Sequence, residues 1–125
     1  MKRLVLWLLC LFASGQIEAV GRVAAIPRPF TGEWNAVLAS CEGREGDGHV
    51  TVSTTQLSFY ESSGAVSAVR VLGPLDIVVD AEMAGEGETW LDHLHFRLSS
   101  DKRSLTVLGM GAQPWVLYRC PMPSR

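Results

Sequence analysis

Two histidines one residue apart, His93 and His95 in ETWLDHLHFRLS, form the most suggestive spacing in the chain. On a β-strand, residues two apart share a face, so both imidazoles could reach one metal ion. Zinc needs at least one more protein ligand. The remaining histidine is His49, and Asp92 falls on the opposite face of the same strand. The alternation puts His93 and His95 on the polar side, which an exposed surface explains without any ion. They are a metal candidate with two ligands in view, and no cofactor is expected.

A second group, Glu82, Glu86, Glu88 and Asp92, surrounds the glycine turn GEG. Grouped carboxylates can do acid–base work or bind calcium. Calcium loops favour aspartate and asparagine at alternating positions, whereas this one is rich in glutamate, and a solvated turn tip accounts for the composition. Nucleophilic catalysis has no motif to rest on: Gly-x-Ser-x-Gly is absent, and no His, Asp and Ser set shows a motif spacing. A non-enzyme is expected. Among the aromatics, Phe59, Tyr60 and Trp90 are a candidate ligand pocket, with Trp115 and Tyr118 nearby in type. The competing reading makes such residues the core of a small barrel. ESSG (61–64) reads either as a recognition loop or as a plain hairpin turn.

The cysteines depend on what happens to the N-terminus. Lys2 and Arg3 precede the apolar run LVLWLLCLFA, which is too short for a membrane span of roughly 20 residues but suits an export signal. Residues 1–19 are therefore expected to be a signal peptide, with Ala19 before the cut and Ala13-Ser14-Gly15 as a second candidate site. Its removal takes Cys10 and leaves Cys41 and Cys120 in an oxidising compartment, periplasmic or extracellular, where an even count argues for a disulfide. Such a bridge would enclose nearly the whole domain and contribute about 4 kcal/mol through lost chain entropy. Without Glu18, Lys2 and Arg3, the chain's 13 acidic and 11 basic residues become 12 and 9, a formal charge near −3. Lys102 is then the only lysine, so no basic surface for nucleic acid is expected. Nor does a further apolar run suggest stable membrane insertion after cleavage.

The elements that must position these residues read as strands. In LDIVVDAEM, Leu75, Ile77, Val79, Ala81 and Met83 alternate with Asp76, Asp80 and Glu82. In ETWLDHLHFRLS, Trp90, Leu94, Phe96 and Leu98 share one face, and His93, His95 and Arg97 the other. Glycine, serine and aspartate punctuate roughly eight such runs at hairpin distances. The fold class is all-β: an antiparallel meander of about eight strands closed as a barrel, which buries the apolar faces and removes open edges. A β-sandwich is the alternative. Residues 20–30 (VGRVAAIPRPF), with two prolines and little periodicity, read as an N-terminal tail, and 31–122 as the barrel domain.

Gly32-x-Trp34 in TGEW resembles the opening of the first strand in the lipocalin-like (calycin) superfamily. There the tryptophan closes the barrel's floor and an arginine from the last strand packs across it. Arg119 in WVLYRC stands in the corresponding place, so Gly32, Trp34 and Arg119 are the floor that this resemblance implies. A guanidinium on an indole would add about 0.5–2 kcal/mol. The size, the Gly-x-Trp and the single disulfide are also similar to periplasmic metalloprotease inhibitors, which block their target with an N-terminal tail. Ser63-Gly64-Ala65-Val66-Ser67 approaches the Ser-Gly-x-x-Tyr motif of periplasmic lysozyme inhibitors, with serine at the tyrosine position. FYESSG together with GEGETW resembles small uncharacterised exported proteins of proteobacteria.

These readings converge on a non-catalytic binding module that contacts a protein partner, in inhibitor-like fashion, through its loops or N-terminal tail. The alternatives are a small lipocalin-like carrier of an apolar ligand and a metal-dependent enzyme using His93 and His95.

Overall fold

The computed structural model describes residues 22–23, 25–43 and 46–122. The expected signal peptide, 1–19, lies outside the described residues. Period-two alternation becomes nine strands: β1 (Arg22–Val23), β2 (Gly32–Asn35), β3 (His49–Val52), β4 (Gln56–Phe59), β5 (Ser62–Gly73), β6 (Asp76–Gly85), β7 (Glu88–Leu98), β8 (Ser104–Leu108) and β9 (Trp115–Arg119). From β2 to β9 each strand pairs antiparallel with the next, and β9 returns to β2 with Arg119 facing Trp34 and Tyr118 facing Asn35. Eight strands therefore close an up-and-down barrel, a single sheet and not a sandwich.

The interior is filled. Val50 and Val52 from β3, Leu57 and Phe59 from β4, and Ile77, Val79, Ala81 and Met83 from β6 point inward. Leu94, Phe96 and Leu98 from β7 meet them, with Leu105, Val107 and Leu117. Strands of four or five residues leave a narrow lumen that side chains fill. Each buried Leu, Ile or Phe contributes about 1.5–3 kcal/mol relative to an exposed one. Gly64 lets β5 and β6 approach closely, because a Cβ there would lie 2.0 Å from the Glu82 carbonyl oxygen.

The tail assignment for 20–30 needs correction over its described part. Ile26 and Phe30 are buried, and the Ile26 amide donates to Thr54 O at 2.8 Å. Arg28–Phe30 form a 3-10 turn, and β1 pairs with β5. Prolines broke the periodicity that would have marked this segment as structural, yet the two large apolar residues four apart serve as a plug. Trp34, fully buried, donates from Nε1 to Phe30 O at 3.2 Å. Arg119 lies over the indole, with Cζ 4.2 Å from the ring centroid. Its Nη1, Nη2 and Nε donate to Thr31 O, Pro29 O and Lys102 O at 2.8, 2.6 and 2.9 Å. Partial burial pulls the guanidinium's pKa below its ordinary value, but an arginine stays charged at neutral pH. Gly32 has φ +132°, and a Cβ there would lie 3.0 Å from Arg119 Nη1. The glycine of Gly-x-Trp is thus required by both its backbone and the arginine it accommodates.

Cys41 and Cys120 are bonded, with Cα atoms 5.5 Å apart and a sequence separation of 79. The bridge ties the loop between β2 and β3 to the end of β9. Among the described residues, no helix is long and apolar enough to cross a membrane.

Candidate functional site

At the end of the barrel away from Trp34, strand lengths no longer match. β6 and β7 have 10 and 11 residues, β8 and β9 only five each. β7 pairs with β6 along its whole length but with β8 only at residues 95–98. Gly109 still lies against the His93 carbonyl, so among the described residues, 88–92 run as a strand with one side unpaired, roughly 15 Å at 3.3 Å per residue. An unpaired edge presents free backbone N–H and C=O groups to any extended chain of suitable shape.

Local sequence explains the projection. The β6–β7 turn has Glu86 at φ +50° and Gly87 at φ +78°, the positive pair of a two-residue type I′ hairpin. Gly85 allows the tip to rest on the neighbouring turn at Tyr60 and Glu61, since a Cβ there would lie 2.4 Å from Glu61 O. Along the free edge, Leu91 is 78% exposed and Trp90 37%. Together with Glu82, Met83, Ala84 and Thr89 they line a concavity of about 540 Å³. Glu61, Glu82, Glu86 and Glu88 are exposed around it, with Asp92 half-buried, and none is in an ion pair among the described residues. The basic side chains cluster elsewhere: Arg119 and Lys102 are at the floor, and Arg97 is held by Asp76.

His93 and His95 do share the outer face of β7, but each is engaged by a separate carboxylate. His93 Nδ1 hydrogen-bonds Asp80 Oδ1, and His95 Nε2 lies 3.1 Å from Asp76 Oδ1. Arg97 Nε donates to the same Asp76 oxygen at 3.1 Å. The Arg97 hydrogen bond, opposed by desolvation and helped by His95, holds the Asp76 carboxyl below the usual carboxylate range. Among the described residues, no group of three or more His, Cys, Asp or Glu is placed to hold a metal ion. The expected pair is on one face but does not converge on one point. Asp76 and Asp80 were the residues missed, although the two-residue turn fixes a register in which Asp80 faces His93 and Asp76 faces Arg97.

The candidate pocket residues Phe59, Tyr60 and Trp90 stand in three different settings. Phe59 is buried and stacks on Trp115 at 6.2 Å between centroids, while Tyr60, next in sequence, sits exposed in a turn. Trp90 lies at the β7 edge. ESSG is also not a loop beyond Glu61: Ser62, Ser63 and Gly64 belong to β5 and pair with β4. The sequence reading also passed over Asn35 and Leu91, the first buried under the β2–β3 loop and the second on the free edge. No family model, no curated protein and no solved structure matches the chain.

Proposed function

We propose that this protein is a non-catalytic binding module that takes an extended segment of a protein partner onto the free edge of β7. The observation that carries this reading is residues 88–92: among the described residues, a strand unpaired on one side, with Leu91 78% exposed. Strand addition supplies affinity through main-chain hydrogen bonds and specificity through alternate side chains. The carboxylates around the edge favour a partner strand with basic residues beside apolar ones. They disfavour self-pairing: in a two-fold antiparallel arrangement centred on Trp90, Glu88 would face Asp92. The filled interior favours this surface over a carried apolar ligand, and binding the described tail into the barrel shifts the contact from tail to edge. Gly32, Trp34 and Arg119 support a lipocalin-like kinship. The disulfide and the signal-like residues 1–19 support a periplasmic or secreted location.

The test is calorimetric titration with a short synthetic peptide alternating valine and lysine. Saturable binding that weakens with salt is expected, and Leu91→Ser should weaken it by roughly tenfold or more through lost apolar burial. Equal affinity for a valine–glutamate peptide, or an unchanged affinity in Leu91→Ser, would remove the proposal.

A further inference from the structure

The two faces of the free β7 edge differ, and the register with β6 assigns each residue to its side. Residues opposite one another in an antiparallel pair point to the same side of the sheet. Trp90 faces Met83 and Asp92 faces Ala81, both core residues, so Glu88, Trp90 and Asp92 point to the inner side of the barrel wall. Thr89 and Leu91 face Ala84 and Glu82 on the outer side. The inner side of the edge therefore carries an indole, 37% exposed, with a carboxylate residue two positions away in each direction. Neither Glu88 nor Asp92 is in an ion pair among the described residues. The outer side carries Leu91, in the concavity it shares with Thr89, Ala84 and Glu82.

Building on the strand-addition reading, we infer that Trp90 is the specificity-determining residue of this edge. It selects an arginine at the position of the incoming strand directly opposite, with apolar residues on either side of that arginine. Main-chain geometry brings the two side chains together. Hydrogen-bonded and non-hydrogen-bonded pairs alternate along an antiparallel ladder, and the two-residue turn makes Gly85 and Glu88 a hydrogen-bonded pair. Trp90 thus directs its backbone groups to β6, while Thr89 and Leu91 direct theirs to the free edge. His93 continues that alternation, its carbonyl being the one that Gly109 approaches. In a strand added antiparallel, as β8 is, the residue opposite Trp90 forms a non-hydrogen-bonded pair, the kind in which side chains come closest. Glu88 and Asp92 then lie at its two diagonal positions. A guanidinium stacks flat on an indole and forks to a carboxylate, which the compact ammonium of lysine does less well. An acidic residue in that place would meet Glu88 and Asp92 with like charge. The neighbours of the arginine turn to the outer side, where Leu91 and the concavity of about 540 Å³ take branched aliphatic side chains.

The experiment is calorimetric titration of the full chain with capped pentapeptides threonine–valine–X–valine–threonine, X being arginine, lysine or citrulline. Five residues match the length of the edge, and citrulline keeps the shape of arginine without its charge. The expected order of affinity is arginine, lysine, citrulline, with arginine ahead of citrulline by roughly two- to thirtyfold, the worth of a cation–π contact. Added salt should narrow that gap. Trp90→Leu, which keeps an apolar side chain at the edge, should erase the advantage of arginine over lysine. An arginine peptide no tighter than the lysine or citrulline peptide would overturn the inference and leave strand addition standing. So would an arginine preference that survives Trp90→Leu. Binding by none of the three would overturn it as well, and the valine–lysine peptide then tells whether strand addition falls with it.

Discussion

At the floor of the barrel, the Arg119 guanidinium satisfies three backbone carbonyls and covers the indole of a fully buried tryptophan. At the far end, residues 88–92 leave one side of a strand unpaired among the described residues, beside a leucine that is 78% exposed. The same sheet produces both. At the floor the chain's lead-in folds under the strands and the disulfide fastens β9 nearby. At the other end β6 and β7 overshoot β8. Groups that hold a fold together are those whose polar atoms are already spoken for. Groups left open at a cost to solubility are better candidates for contact with something else.

This contrast can be broken from the floor side first. Trp34→Ala should destabilise the protein by about 3–5 kcal/mol, the usual range for truncating a buried tryptophan. That is a large part of the roughly 5–15 kcal/mol a small domain has in total, so urea denaturation should show a much earlier midpoint or a chain largely unfolded in buffer. A loss below that of an ordinary surface substitution would contradict the floor. Gly32→Ala is a finer probe of the same region. It places a side chain at φ +132° and pushes Arg119 Nη1, and should cost about 1–3 kcal/mol, with the same denaturation curve as readout. A wild-type midpoint there would mean that the glycine of Gly-x-Trp is incidental. At the other end, the Leu91→Ser used in the peptide titration should move stability by no more than about 0.5 kcal/mol while affinity falls.

How much of this was legible from residues alone differs between the two ends. Alternation in LDIVVDAEM and ETWLDHLHFRLS identified the inward faces of β6 and β7, because burial on one side imposes period two. The even cysteine count pointed to the disulfide, whereas the contact of Arg119 with Trp34 was expected only from the resemblance that Gly32-x-Trp34 carries. The lead-in was misread because Pro27 and Pro29 erase periodicity while Ile26 and Phe30 still bury their side chains. The Asp76 and Asp80 partners of His95 and His93 were within reach, since a two-residue turn determines which residues face each other. The free edge was not. It depends on where β8 stops pairing with β7, a consequence of barrel closure that no local pattern encodes. The burial of Asn35 was equally hidden, because the covering loop comes from residues whose composition says only that they turn.

The most direct test of the account is hydrogen–deuterium exchange of the whole chain, alone and with the valine–lysine peptide. Amides of the floor strands should exchange slowly in both states. Within residues 88–92, the amides not bonded to β6 should exchange fast in the free protein and slow selectively when the peptide is added. Protection that appears elsewhere on the barrel, or edge amides already protected in the free protein, would contradict it.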